Sequence, residues 1–443
     1  MTDDLNHATR FANRDGSLLV LALLALIAGA ISGLVAAIFR LSLQQADRLR
    51  DMLIAWGHGQ GALGFLCVLA MCAGATALSA WLVRRYSPHA SGSGIPHVEA
   101  VLHKQVPPAP YGLVTVKFLG GILAIGSGLA LGREGPSVQM GAGIAHLTGQ
   151  IFHRSWPDCR VLLAAGAGAG LATAFNAPIA GALFVLEELV QRFEHRIAIA
   201  ALAASATAIA VGRLLLGDAP DFHVGALAYG TAGTRPLFFI LGAVAGLLAV
   251  AYNGTLLAAI AVAERLGRLP VEVRAGLIGA GMLAWFAPAL VGGGDAITQR
   301  TLSGGETLAL VLVAFLLRFG LGAVSYAAGT PGGLFAPLLV LGAQSGLLFG
   351  AACRLALPGL DIQPEAFAVV GMAAFFTGVV RAPLTGIVLA TEMTASVTML
   401  LPMLGACFTA MLVPALLRKA PIYDSLREHT LRRERMLQQN ARK

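Results

Sequence analysis

Charge is what this 443-residue chain has least of: Asp, Glu, Lys and Arg make up 12% of it. A soluble globular protein carries about a quarter. So few charges cannot solvate the surface of so long a chain, which excludes a soluble multidomain enzyme. Cysteine is sparse as well, limited to Cys67, Cys72, Cys159, Cys353 and Cys407. Four lie in apolar runs and none clusters, so a disulfide framework is excluded and buried, inert thiols are expected. No metal-ligand spacing, phosphate-binding loop or catalytic triad is found. Neither a metal nor a cofactor is expected, and an intramembrane enzyme has no nucleophile–base constellation to work with.

What remains is apolar. Hydrophobic residues make up 57% of the chain, mean hydropathy is +0.75, and there are 54 glycines, where average usage predicts about 7%. Leucine- and alanine-rich sequence with excess glycine reads as closely packed membrane helices. Uncharged runs long enough to cross a bilayer include 16–39, 62–83, 161–186, 197–212, 236–263, 275–294, 319–353 and 393–417, and a plain count gives ten or eleven hydrophobic segments. The first is too long for a signal peptide and is read as an uncleaved helix. The formal charge of +8 is concentrated after Leu417, where eight basic residues face three acids. A basic tail after an apolar span puts the C-terminus in the cytoplasm, and nucleic acid is not a partner. Arg10 and Arg14 suggest the same for the N-terminus, opposed by Arg40, Arg48 and Arg50 beyond the first run.

Several runs have the wrong length for one span. The 319–353 run is interrupted by Gly329, Pro331, Gly332, Gly333 and Pro337, and 161–186 breaks at Asn176-Ala177-Pro178. Helices that stop inside a membrane are tolerated only when buried in protein or lining a polar cavity, and they point to binding sites. The chain also repeats itself. Ala177-Pro178-Ile179-Ala180-Gly181 returns as Ala382-Pro383-Leu384-Thr385-Gly386 at an offset of 205, each copy with a glutamate ten residues after its alanine, Glu187 and Glu392. Gly132 to Pro136, then Gly141-Ala142, returns as Gly333 to Pro337, then Gly342-Ala343, at an offset of 201. The implied organisation is an N-terminal segment 1–15, a first transmembrane repeat 16–217, a linker 218–235, a second repeat 236–425 and a basic tail 426–443.

Three glycine-bearing turns end in proline ahead of apolar stretches: Gly92-Ser93-Gly94-Ile95-Pro96, Gly132-Arg133-Glu134-Gly135-Pro136 and Gly332-Gly333-Leu334-Phe335-Ala336-Pro337. Proline suits a helix's first turn, and glycine admits a ligand close to the backbone. The first helical N–H groups lack internal partners and sit at the positive end of the dipole, so such ends bind anions. Three of them suggest an anion site built largely of main-chain amides. Taken singly, each turn is a kink, Ser93 a helix cap, Tyr423 an interfacial anchor, Glu134 a partner of Arg133, and Glu187 with Glu188 a solvated helix end.

Taken together, these turns, with Lys117-Phe118-Leu119-Gly120-Gly121 before the second and Pro421-Ile422-Tyr423 near the end, resemble the signature motifs of the CLC chloride channel/transporter family, in order from about residue 16 to 425. The resemblance implies an all-α polytopic membrane fold of two inverted-topology repeats with many tilted and broken helices. It implies a homodimer with one anion pathway per subunit, in a prokaryotic inner membrane with both termini cytoplasmic. Only about 20 residues follow Tyr423, so the paired cytosolic CBS domains of larger members are not expected.

By the same resemblance, Ser93 and Tyr423 offer hydroxyls to a central chloride, and main-chain amides around Phe335 and Ala336 complete the site, with Gly94, Ile95, Arg133 and Gly135 in the same turns. Glu134 is the gate and external proton acceptor, Glu188 the internal proton-transfer residue that exchangers keep, and Glu187 a lining residue of that route. Lys117 raises the local potential. The implied function is a chloride/proton antiporter, its partners being chloride, protons and the lipid bilayer. The rival is a passive voltage- or pH-gated chloride channel on the same fold. Arg318, Arg381, Glu392, Glu99 and His103 are left without assigned partners, and His97, beside Pro96, is expected near the cytoplasmic mouth without a catalytic role.

Overall fold

A chain in hydrocarbon must satisfy its backbone internally, and this one does so with helices. The structure, a computed structural model, describes residues 2–227, 233–266, 269–279 and 283–441. Among these, extended pairing is confined to two isolated bridges, Gly92 with Pro331 and Gly132 with Gly333.

The first half runs through α1 (Thr2–His58), α2 (Gly61–Tyr86), α3 (Ile95–Leu102), α4 (Gly112–Gly126), α5 (Glu134–Ile151), α6 (Trp156–Phe175), α7 (Pro178–Phe184) and α8 (His195–Leu216). The second runs through α9 (Arg235–Arg265), α10 (Val271–Gly279), α11 (Leu283–Phe286), α12 (Asp295–Ser303), α13 (Leu308–Ala327), α14 (Phe335–Ala356), α15 (Pro364–Val380), α16 (Pro383–Thr394) and α17 (Leu400–Leu416), and α18 (Ile422–Ala441) closes the chain.

The duplication read from the sequence is carried by these elements. α6 ends on Asn176 at φ 50°, and α15 on Arg381 at φ 71°; each left-handed residue is followed by Ala-Pro and a new helix. Proline at the second helix's first position needs no N–H. Single 3-10 turns at Pro88–Ala90 and Pro288–Leu290 precede α3 and α12. Packing repeats too: α5 on α6 as α14 on α15, and α1 on α8 as α9 on α17. A Cβ on Gly141 would strike the Gly166 carbonyl and one on Gly166 the Gly141 carbonyl; Gly342 and Gly371 stand in the same relation. Small residues allow this backbone-to-backbone approach between membrane helices.

Among the described residues, seven helices are long and apolar enough to cross a bilayer. The most apolar windows of α6 and α14 are 94% and 83% buried inside the protein, against 33–44% for the other five. These two are the centre, and the rest face outward.

Five expectations differ from the structure. The 275–294 run is not one span: helix stops at Phe286 and a 3-10 turn, Pro288–Leu290, follows, while residues 280–282 lie outside the described ones. α4 and α13 carry Lys117 and Arg318 and so fall outside the uncharged runs, yet both charges are buried within helices. Arg40 and Arg50 are not loop charges, since α1 continues past them to His58 and both are held in ion pairs. Cys67 is exposed and Cys353 half-buried. The tail boundary expected at residue 425 falls inside α18, and Arg442 and Lys443 lie outside the described residues, as do the side chains of Arg10, Arg14, Arg433 and Arg435.

Candidate anion-binding site

The three glycine turns meet. Gly92 N–H donates to Thr330 O and Gly332 N–H to Gly92 O, both at 3.1 Å, while Gly132 and Gly333 exchange bonds of 2.8 and 2.7 Å. The last pair is reciprocal and its members are 201 residues apart, so it lies on the pseudo-two-fold relating the halves. α3 starts after Gly94, held at φ 84°, a left-handed value that costs glycine nothing. Ser93 N–H donates to the Tyr326 hydroxyl at 3.3 Å. Ile95 and Phe335 are fully buried. The Phe335 ring packs against Phe175, Phe184, Phe376 and, at 5.8 Å between centroids, Tyr423.

Into this junction points the Glu134 side chain, fully buried. Its Oε1 accepts the Ala336 N–H, in the first turn of α14, at 3.1 Å. A Cβ on Gly132 or Gly333 would collide with the carboxylate, and one on Gly135 with Ser93 Oγ. These glycines leave room for a carboxylate at a helix N-terminus, where amides and dipole favour an anion. Glu134 Oε2, Ser93 Oγ and Tyr423 OH are buried without a hydrogen-bond partner. Buried polar atoms are nearly always satisfied, so three orphans in one neighbourhood mark a place for a polar guest. Tyr423 is within electrostatic reach of both Glu134 and Glu188.

Glu188, 6% exposed, sits on a single π turn, Val185–Leu189, that prolongs α7. Such turns recur at functional sites. The charges acting on it are Asp424 and Glu187. Asp424, in the first turn of α18, pairs with Arg427 at 2.8 Å; burial, with Glu428 adding to it, holds its carboxyl above the ordinary carboxylate range. Arg427 also pairs with buried Glu99.

Other sequence-picked residues turn out to hold the frame. Lys117 Nζ donates to Ala90 O at 3.0 Å and Gly92 O at 2.7 Å, bracing the first glycine turn from behind. Arg318, 201 residues later, does the same for the equivalent turn, donating to Leu290 O, Gly292 O and Gly293 O at 2.8–3.1 Å. Glu187 caps α16, accepting from Leu384 N at 3.0 Å and Thr385 N at 2.7 Å. Glu392 caps α7 in return, accepting from Ile179 N at 3.1 Å and Ala180 N at 2.8 Å. The Arg133 guanidinium is committed to Asp295, Asp221 and Ala174 O rather than presented to Ser93 and Tyr423. His97 Nδ1 lies 3.3 Å from Gln139 Nε2, and Arg381 donates to Lys419 O.

Tyr326, Asp221 and Asp295 were not picked out from the sequence. Only Asp295 had an available signal, standing 200 residues after Ile95 and directly after Gly292-Gly293-Gly294.

Comparison with known proteins agrees with this geometry. The family model for voltage gated chloride channels matches residues 74–415. The H(+)/Cl(-) exchange transporter ClcA of Vibrio parahaemolyticus is 35% identical over 97% of this chain and 94% of its own length. That of Cronobacter sakazakii is 36% identical over 95% and 92%. A slow cyanobacterial Cl-/H+ antiporter of known structure superposes with a TM-score of 0.88 at 31% identity, over 93% of this chain and 98% of its own.

Proposed function

The chain belongs to the voltage-gated chloride channel family, and on that premise we propose that it is a secondary active antiporter, exchanging chloride for protons across the cytoplasmic membrane of a prokaryotic cell. The observation that carries the reading is the seat of Glu134, a carboxylate bonded to a helix-terminal amide where an anion would bind. Ionised, it competes with chloride. Protonated, it loses the attraction of the amides and swings away. A plug that leaves only with a proton couples the two fluxes.

In this scheme Ser93 and Tyr423 donate their hydroxyls to chloride, and the amides of Phe335 and Ala336 complete the shell. Gly94, Ile95 and Gly135 contribute backbone. Glu188 passes protons to and from the cytoplasmic face, and its burial among other carboxylates suits a relay. Lys117 braces the first turn, and Glu187 serves as a helix cap beside the relay. Residues 16–217 and 236–425 act as two inverted halves of one pathway. The assembly is a homodimer with both termini in the cytoplasm, and its work is transport rather than bond-making chemistry.

The test is reconstitution into liposomes with an outward chloride gradient and a pH electrode outside. Uphill proton uptake driven by chloride efflux is expected; chloride efflux without proton movement would leave a channel. Glu188→Gln is expected to stop proton movement and keep chloride flux, and Glu134→Gln to uncouple the two.

A further inference from the structure

Arg133 adjoins the gate residue, and every arm of its guanidinium is occupied. Nε donates to Ala174 O at the end of α6, at 2.9 Å. Nη1 pairs with Asp295 in the first turn of α12, and Nη2 lies 3.4 Å from Asp221 Oδ2 in the segment after α8. The other oxygen of Asp221 is 2.7 Å from Arg40 on α1. Two cations and two anions, drawn from four parts of the chain, form a neutral quartet. Arg133, Arg40 and Asp221 are 12%, 16% and 6% exposed, and Asp295 is 44% exposed.

Exposed pairs contribute little to stability and buried pairs are weak evidence for it. The more telling fact is where the quartet lies. Both Arg133 and Asp295 act electrostatically on Glu134, the cation favouring its ionised form and the anion opposing it. The remaining charges near the quartet are Arg318 on α13 and Asp47 on α1, which couple to Asp295. Tyr423 on α18 couples to Glu134.

We propose that this quartet sets the external pH at which Glu134 gives up the anion's place. While Asp295 and Asp221 hold Arg133, its positive charge is largely cancelled at the gate. Remove one aspartate, and a net positive charge is left one residue from the carboxylate. Remove the arginine, and two uncompensated aspartates face the same carboxylate. Arg133 is thus a positioning and tuning residue for the gate. The inference rests on the reading of Glu134 as the proton-accepting gate.

The experiment measures chloride flux in proteoliposomes against external pH. Asp295→Asn is expected to move the acid activation of flux to lower pH by about one unit, since a neighbouring charge in a partly buried site shifts a carboxylate by this order. Arg133→Gln is expected to move it to higher pH, and Arg133→Lys to return it most of the way. If Asp295→Asn does not yield a folded transporter, Asp221→Asn carries the same expected sign. Each shift should vanish in a Glu134→Gln background. Unshifted profiles, shifts of one sign for both charges, or shifts that survive Glu134→Gln overturn the proposal. If Glu134→Gln alone keeps the wild-type pH profile, the gate reading fails and this inference falls with it.

Discussion

At the scale of single residues, the proposed site is a contest over space between a tethered carboxylate and a free anion. A tethered competitor has an effective concentration in the millimolar range or above, so chloride binding should tighten when it is cut away. Glu134→Ala is expected to raise chloride affinity several-fold in calorimetry on detergent-solubilised protein; unchanged affinity would place the carboxylate elsewhere. Gly132→Ala tests the same geometry from the wall, because its Cβ would meet the carboxylate. It should weaken the pH dependence of flux, and Gly132→Ala combined with Glu134→Ala should behave like Glu134→Ala alone. Lys117 makes a different prediction. Lys117→Met leaves Ala90 O buried without a donor and Gly92 O with only the Gly332 N–H, a loss of roughly 1–3 kcal/mol, read as a fall in melting temperature. Ser93, Glu134 and Phe335, which the structure brings together, lie in turns whose composition announces itself, whereas Tyr423 drew notice only through the family resemblance. The partners of Arg133 were not legible, because Asp221 and Asp295 are 88 and 162 residues away, and adjacency to Glu134 was all the sequence offered.

At the scale of elements, proline marked helix starts well. The breaks before α7 and α16 were visible in Asn176-Ala177-Pro178 and Arg381-Ala382-Pro383. The break inside 275–294, at Ala287-Pro288, carries the same proline signal, which the absence of charge along the run concealed. Charge misled in the opposite sense, hiding α4 and α13 behind a lysine and an arginine that the fold neutralises with carbonyl oxygens. The crossed caps of Glu187 and Glu392 were half legible: the sequence showed two equivalent glutamates, but not that each reaches the other's helix. Each cap satisfies two amides at a positive helix end, so Glu187→Ala and Glu392→Ala should each cost about 1–2 kcal/mol, measured by thermal unfolding in detergent. Glu392→Ala should leave the chloride-to-proton ratio intact; a changed ratio would show that the cap also serves the relay.

At the scale of the whole molecule, the described apolar part of α1, Leu18–His58, is 41 residues long. At 1.5 Å per residue that is about 61 Å, roughly twice the hydrocarbon thickness. It must cross at a steep tilt or continue beyond the bilayer, which explains why counting charges beyond its first 24 residues gave no clear orientation. The halves are also mutually dependent, since each caps a helix of the other and bonds its glycine turns to the other's. Co-expressed fragments cut between Leu227 and Gly233 should therefore assemble into a working transporter, while either alone should show no flux; activity from one fragment would deny the shared site.

The two-fold relation has a further consequence. Residues that hold the frame recur across it: Lys117 as Arg318, Glu187 as Glu392, Gly132 as Gly333, Gly141 as Gly342. Those assigned chemistry do not. At the equivalent positions Ser93 becomes Gly293, Glu134 becomes Phe335 and Glu188 becomes Met393, while Tyr423 lies beyond α17, the last helix with a counterpart in the first half. A scaffold nearly indifferent to which way it faces is thus made directional by a few unmatched side chains. Vectorial proton movement through this protein is a matter of broken symmetry.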